Sequence, residues 1–427
     1  MTWDAVVVGG GVAGLVAARD LARAGRSTLV LEEHDTFGGA VAGHTVAGLR
    51  LDAGAESYAT RGGTVAALLG ELGLADRIRE PEPHGAWVHL PHGDGPLPRT
   101  GLLGIPAEPW AARRTLGLVG TARASLDLVL PPTRATSLGD LVRRRMGARV
   151  LDRLVRPVVG GVHAADPDDL AVDAVAPGLP DALRRERGSL ARAVRSLRAS
   201  APAGSAVQGL EGGMQVLVDA LVADIEAHGG SVRTGVPVRS LDDEVTDRWV
   251  LSAPSAVELL GLSVGRPDPG AQVTLVTLVL DAPALDAAPR GTGVLVAREA
   301  TDVAAKALTH ATAKWAWLAQ VAGPGRHVVR LSYGRAGEDV QPDVGQALRD
   351  ASVLLGTPLS AEQVEGHAVV RWTQALPRPS AAHARVVADV RAAVEALPGV
   401  AVCGAWVAGN GLASVVPDAR AAARSVL

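Results

Sequence analysis

Gly9, Gly11 and Gly14 stand in the spacing G-x-G-x-x-G within "VVVGGGVAGL", close to the start of the sequence. That spacing suits a backbone that must come very near a pyrophosphate. The first glycine allows a tight turn, the second lets the phosphates approach, and the third lets a helix pack against the preceding strand. Free N–H groups and the dipole at the start of that helix favour an anion. Glu32 follows Gly9 by 23 residues, at the end of the next apolar run. A carboxylate there can accept hydrogen bonds from the hydroxyls of an adenosine ribose, with Glu33 as its competitor. Glycine-rich turns are common, so the alternative is a purely structural turn. The strand before it, the amphipathic helix after it and the acid beyond together predict a dinucleotide site.

A second set of residues bears on which dinucleotide it is. "HDTFGGAVAGHTVAGLRLDAGAESY" holds the pair Gly38-Gly39 and then Asp52 to Ser57, which a simple nicotinamide fold does not need. Near the end, "GAWVAGNGLASVV" puts Gly409 and Gly411 before a helix, where a second glycine turn can cradle the far end of a long cofactor. An ordinary helix cap is the alternative there. No second complete G-x-G-x-x-G occurs in the sequence. A flavoprotein without a separate nicotinamide site takes electrons from its organic substrate and gives them to a diffusible acceptor, most simply oxygen. The spacing therefore predicts bound FAD and an oxidase.

Composition limits the alternatives. The 427 residues are 48% hydrophobic and 20% charged, a globular composition with room for two or three domains. A net charge of −3 gives no basic excess for nucleic acid. No apolar run approaches the length of a bilayer span, and a strand is expected by Trp3, so a cytoplasmic protein with at most peripheral membrane contact is expected. Cys403 is the only cysteine, which excludes an internal disulfide and a thiolate zinc cluster. Its surroundings, "GVAVCGAWVAG", suit a small buried strand residue better than a covalent flavin tether. No metal site is expected.

The elements that must position these residues follow from periodicity. Residues 3–31 read as strand, glycine turn, helix and strand, with Gly25 placed to end the helix. From about Arg77 to Ser200 the pattern is helical and Arg-rich, broken by prolines. The run Arg143-Arg144-Arg145 reads as a solvated helix face. Met214, Leu217, Val218, Leu221, Val222 and Ile225 form one face of a buried helix. Residues 271–335 are rich in strand formers, and the chain closes with a helix (381–397), a short strand, a glycine turn and a final helix. Pro417 falls in that last helix, where it is expected to be tolerated only near the first turn.

The ordered set "GGGVAGL", "LEEHDTFGG", "GLEGGMQVL" and "GNGLASVV" resembles the FAD-dependent amine oxidase superfamily. Within it, "RLVRPVVGGVHAADPDDLAVDAVAP" (153–177) is similar to the P-x-x-x-G-V-Y-x-G-D-P-x-x-L-S segment of the protoporphyrinogen/coproporphyrinogen oxidases. "LGIPAEP", "SLGDLVRRRMG", "GVLVARE", "VVRLSYGR" and "RWTQALP" look like further family stretches in family order, so the resemblance covers nearly the whole chain. The expected fold is α/β, α+β overall. A Rossmann-like FAD-binding domain is discontinuous in sequence (1–80, 205–260 and 396–427), with a helical substrate-entry or membrane-facing subdomain (81–204) and a substrate-binding β-sheet domain (261–395).

Carried over by position, the resemblance implies Gly9, Gly11, Val12, Ala13 and Gly14 at the pyrophosphate and Glu32, with Glu33 beside it, at the ribose. Gly38, Gly39, Ala40, Gly54, Ala55, Glu56 and Ser57 would lie along the cofactor. Val238 would meet the adenine side through its backbone, and Trp372, Gly409, Asn410, Gly411 and Leu412 would surround the flavin end. The chain departs from the family pattern at Ala40, where Arg or Lys is usual, at His163 for Tyr, at Ala165 and Ala171, and at Arg378-Pro379.

The activity implied is FAD- and oxygen-dependent oxidation of a porphyrinogen, with coproporphyrinogen III to coproporphyrin III preferred, by successive hydride transfers in haem biosynthesis. Such chemistry needs orientation over a flavin more than an acid/base pair, so no catalytic side chain is assigned. The substrate's carboxylates call for guanidinium forks, and Arg61 and Arg99 are the candidates. His163 is a candidate for the cavity wall. The segment around 101–130, apolar with Arg113 and Arg114 between, is a candidate surface for a membrane or for a ferrochelatase that takes the product. An ordinary helical subdomain is the alternative. Two other functions compete: another oxidase or desaturase of the superfamily, which would act on a diamine or carotenoid, and a porphyrin-binding pseudoenzyme with weakened FAD binding, which would stay colourless when given FAD.

Overall fold

A computed structural model describes residues 2–98, 101–163, 166–176, 178–199, 206–244, 246–267, 270–335, 338, 340–376 and 380–427. The chain divides into two compact units, one of residues 1–81, 205–270 and 374–427, the other of residues 82–204 and 271–373.

The first unit is built on a five-stranded parallel sheet. Its strands are β1 (Ala5–Val8), β2 (Thr28–Leu31), β3 (Ser231–Arg233), β4 (Trp249–Leu251) and β5 (Val400–Val402). They lie in the order β3-β2-β1-β4-β5, the order of a nucleotide-binding sheet. β1, β2 and β4 are buried along their whole length, as strands covered on both faces must be. Helices α1 (Val12–Arg23), α2 (Thr64–Glu71), α3 (Gln215–Ala227) and α4 (Leu412–Ser425) share one core with the sheet. α1 ends just before Gly25, whose φ of +80° and N–H to the Ala22 carbonyl close the helix. Cys403, directly after β5, is fully buried, and burial pushes its thiol well above the ordinary range.

Periodicity did not reveal how α1 is fastened. Arg19, only 1% exposed, donates from Nε to Asp224 of α3 at 2.6 Å and from a terminal nitrogen to Glu71 of α2 at 2.7 Å. Arg420 of α4 donates to the same Glu71 at 2.8 Å. Two guanidiniums, Arg19 and Arg420, and two carboxylates thus tie all four helices together, and removing Glu71 would cost the contact that both guanidiniums share. Hydrogen bonds from Arg420 and Arg19 hold the Glu71 carboxyl below its usual range.

The second unit carries a seven-stranded mixed sheet. In spatial order its strands are Val364–Leu376, Ala271–Asp281, Arg326–Tyr333, Ala307–His310, Gly293–Val296, Trp87–His89 and Gly95–Pro96. Residues 87–96 therefore join a sheet, where helix was expected from about Arg77 onward. The β-forming Trp87-Val88 pairs in parallel with Val294-Leu295, and tertiary pairing outweighs the helical pattern around it. Helices follow from Arg113 to Ala199 around a separate apolar cluster. Along Trp110 to Val129 a row of apolar side chains stays outside that cluster, with Leu118, Val119 and Val129 all more than 70% exposed. Among the described residues no helix is long and apolar enough to cross a membrane.

Arg145 corrects the expectation of a solvated arginine face. Arg143 and Arg144 are exposed, but Arg145 is 1% exposed and donates to Asp127 Oδ1 at 2.7 Å and to the carbonyls of Leu130 and Pro131. Asp127 is itself fully buried and accepts from Ser189 Oγ and from the N–H groups of Leu190 and Ala191, capping the helix Leu190–Ala199. Charge counted along one helix cannot show that its last arginine points inward, because the partner lies 18 residues earlier.

Pro417 corrects a second expectation, since it is the sixth residue of α4 and not part of the first turn. A proline there removes the N–H that would have bonded the Ala413 carbonyl. The hydroxyl of Thr64, at the start of α2, donates to that carbonyl at 3.3 Å, so the freed acceptor is satisfied from a neighbouring helix.

Two stability outcomes are expected. Asp127→Asn, which leaves Arg145 buried without its counter-charge, lowers unfolding free energy by about 3–5 kcal/mol in a denaturant titration, whereas Arg144→Ala changes it by about 0.5 kcal/mol or less. Thr64→Val, which is close in shape but cannot donate, costs about 1 kcal/mol. In a Pro417→Ala background, where the helix supplies its own donor, the cost of Thr64→Val shrinks by more than half.

Candidate functional site

The glycine turn is shaped by contacts that a side chain would forbid. A β-carbon on Gly14 would stand 1.9 Å from the Gly9 carbonyl oxygen, so helix and strand approach this closely only with glycine. At Gly11, the N-cap of α1, a β-carbon would meet nothing within 4 Å, and this is the open side of the turn. No side chain caps α1 and no acidic residue lies in its first turn, so its N-terminal N–H groups are left for an anion.

The second glycine pair closes onto the first. Gly38 N–H donates to the Gly10 carbonyl at 2.8 Å, and Gly11 and Gly38 form a parallel bridge. Gly38 has a φ of +110°, a conformation that only glycine adopts readily. Ala40 follows in a short exposed turn, and its carbonyl accepts from Ala55 N–H at 2.8 Å, which brings Gly54, Ala55, Glu56 and Ser57 beside the same edge.

The geometry separates the two candidate acids. Glu32 is buried and its Oε2 accepts from Gly10 N–H at 2.6 Å; its Oε1 accepts from His34 N–H at 2.9 Å and faces His34 Nδ1 at 2.7 Å. Glu33 has a side chain 67% exposed. Glu32 is thus the acid held against the turn. Val238 follows β3, whose Arg233 carbonyl accepts from Glu32 N–H, and Val238 is partly buried in the core behind the sheet.

The start of α4 repeats the open turn. Gly411 has a φ of +94°, and a β-carbon on it or on Gly409 would touch nothing within 4 Å. α4 also begins with no side-chain cap and no acid in its first turn. Leu412 is buried in the core shared with α1, and Asn410 lies on the turn between. Arg61, in the turn just before α2, is exposed and donates to Ser414 Oγ at 2.6 Å, next to this helix start. Trp372 lies partly buried on the strand Val364–Leu376 of the second unit. Arg99 lies outside the described residues, as does the side chain of His163, which ends the helix Arg156–His163.

These features fit a dinucleotide cofactor. Two uncapped helix starts and a buried acid lie in one unit, and the glycines leave room where the cofactor's phosphates and ring end would press against backbone.

Buried titratable groups in the second unit escaped the sequence reading. His327 Nε2 lies 2.9 Å from Asp286, and its Nδ1 lies 3.0 Å from His310 Nε2 and 3.2 Å from Thr312 Oγ1. His327, Asp286 and Thr312 line a cleft of about 330 Å³ together with Glu82, His84 and Arg326. Burial pushes His310 down to about 3, so it stays neutral. Lys306, one of only two lysines, is buried with its Nζ on the Gly334 carbonyl at 2.8 Å, and burial pushes it down to about 8. The rarity of lysine was a visible signal, but its burial was not. Among the described residues no cluster of His, Cys, Asp and Glu is arranged to hold a metal ion.

Comparison with known proteins agrees with this geometry. The family model for flavin containing amine oxidoreductases matches residues 12–255. A coproporphyrinogen III oxidase of Mycobacterium tuberculosis (strain ATCC 25618 / H37Rv) is 30% identical over 447 residues, covering 99% of this chain and 96% of the relative. That of Bacillus subtilis (strain 168) is 25% identical, with 99% and 97% covered. Among solved structures, one from Exiguobacterium sp. 255-15, provisionally assigned as a protoporphyrinogen oxidase, is 25% identical with a TM-score of 0.85 over 99% of this chain and 98% of that one. A putrescine oxidase, 16% identical with a TM-score of 0.68 over 100% and 99% of the two chains, shares the fold. The chain belongs to the flavin-containing amine oxidoreductases and, within them, to the family of the coproporphyrinogen III and protoporphyrinogen oxidases.

Proposed function

We propose that the chain binds FAD and oxidises a porphyrinogen, coproporphyrinogen III to coproporphyrin III, with oxygen as the final acceptor. One observation carries this reading: a single unit holds two open, uncapped helix starts, α1 and α4, with Glu32 turned into the first of them. A long dinucleotide with an anionic middle needs that combination, and the relatives' names supply the substrate class. FAD, when bound, would accept the hydrides of three successive two-electron oxidations, which in total consume three oxygen molecules and yield three of hydrogen peroxide.

The protein's own contribution is binding, orientation and exclusion of water. Gly9, Gly11, Val12, Ala13 and Gly14 would hold the diphosphate on backbone N–H groups, Glu32 the ribose, Val238 the adenine side, and the turn 409–412 the ring end. The first unit, residues 1–81, 205–270 and 374–427, would form the FAD-binding domain; in the second, the sheet, residues 87–96 included, would face the substrate and the helices from Arg113 to Ala199 would form the entry subdomain. Arg61, already at the start of α4 through Ser414, would place a guanidinium fork on a substrate carboxylate, with Arg99 as a second fork and His163 in the cavity wall. The exposed apolar row along 110–129, with Arg113 and Arg114, suits a peripheral hydrophobic contact, either with a membrane surface or with a ferrochelatase that receives the product in haem biosynthesis.

The direct test is a visible spectrum followed by aerobic addition of coproporphyrinogen III. Yellow protein, rising porphyrin absorbance and three equivalents of peroxide per porphyrin are expected; protein that stays colourless with excess FAD would refute the reading. Glu32→Gln, which weakens a charge-assisted contact, should raise the Kd for FAD about tenfold in a fluorescence titration. Arg61→Ala should raise KM for coproporphyrinogen by about tenfold while leaving kcat within about twofold.

A further inference from the structure

We propose that His34 is the counter-ion of Glu32: its imidazolium balances the carboxylate beside the phosphate-binding turn and holds it in the orientation that meets the cofactor's ribose. The proposal rests on the FAD reading above.

The carboxylate is held at both oxygens. Gly10 N–H takes Oε2 at 2.6 Å, while the backbone N–H and Nδ1 of His34 approach Oε1 at 2.9 and 2.7 Å. The Glu32 side chain is 10% exposed and the imidazole 75% exposed, so the pair has one buried and one wet end. A backbone N–H can fix the carboxylate's position, but only a cation can offset its charge. That charge matters because the neighbouring helix start is open to a dianionic diphosphate, and like charges close together repel.

The stretch of chain that carries the pair offers no arginine or lysine of its own. No lysine or arginine occurs between Arg26 and Arg50, and residue 40 beside the turn is alanine. The other titratable groups on the loop are acidic: Glu33, 3.8 Å from His34 Nδ1, and Asp35. From the facing segment, where Gly235 N–H donates to the His34 carbonyl, come Arg233, paired at 3.9 Å with Glu244, and Arg239. All three carboxylates of the loop, Glu32 first through its hydrogen bond, raise His34 above its ordinary value of 6.5. The imidazolium is therefore present below that raised value and lost as pH rises through it. FAD affinity should fall over the same window, which lies above the ordinary histidine value. His34 is thus a positioning residue acting through Glu32, and its contribution is electrostatic.

The test is FAD binding to deflavinated protein, followed by quenching of flavin fluorescence at about pH 6 and about pH 9. The parent protein should bind roughly threefold more weakly at the higher pH, the size expected of a half-exposed ion pair. His34→Gln should bind with the weaker affinity at both values, and His34→Arg, which does not titrate, with the tighter affinity at both. FMN, which lacks the adenosine, should show no dependence on residue 34. A His34→Gln protein that keeps the parent's pH profile, or an FMN profile that shifts with it, would overturn the proposal while leaving the FAD site intact. Failure of the parent to bind FAD at either pH would overturn the dinucleotide reading and this proposal with it. Unfolding midpoints of the three proteins without flavin should differ by no more than the small contribution of one largely exposed ion pair, which separates the electrostatic role from a folding defect.

Discussion

Helix α1 begins where it does because residue 14 has no side chain. With only 1.9 Å between a would-be β-carbon and the Gly9 carbonyl oxygen, the strand end and the first turn of the helix are in direct backbone contact. The rest of the first unit depends on that contact. It brings the uncapped N–H groups of α1 to the mouth of the turn, lets the second glycine pair bridge to the first, and sets Gly10 N–H within 2.6 Å of Glu32. A helix displaced by one methyl group would leave the acid and the open N–H groups of α1 out of register with each other.

Close backbone packing leaves α1 little side-chain surface on that face, and the opposite end is fastened with charge. Arg19 reaches α2 and α3, and Arg420 brings α4 to the same carboxylate. The start of α4 is fastened in turn by Thr64 and Arg61, neighbours on the chain that bond Ala413 and Ser414. Both helices are thus held by polar contacts that do not use their free N–H groups. A binding site whose own backbone donors must stay unpaired requires its rigidity to come from elsewhere.

Much of the candidate site is legible in the sequence alone. Glycine spacing, the acid 23 residues on and the glycine turn at 409–411 each reflect a local steric or electrostatic requirement that residue type expresses directly. The parallel-sheet strands were legible too, because strands buried on both faces read as continuous apolar runs. The choice between Glu32 and Glu33 was not legible: adjacent carboxylates differ only in which side of the strand end they leave from. Nor were the burial of Arg145, the sheet strand at Trp87–His89, or the histidine pair His310–His327, whose partners lie 15 or more residues away along the chain.

The sequence by itself therefore determined the class of cofactor and the order of the elements that hold it, since both follow from backbone geometry that glycine and apolar period encode residue by residue. Only the tertiary structure decided which charges are buried and what they pair with. Glu32 with His34, Arg19 with Glu71 and Asp224, Arg145 with Asp127, and the Ala413 carbonyl left free by Pro417 with Thr64 are all long-range matches apart from the first. A charged side chain carries no local mark of its partner, because the energy that selects the pair comes from desolvation, and desolvation exists only once the chain has folded around it.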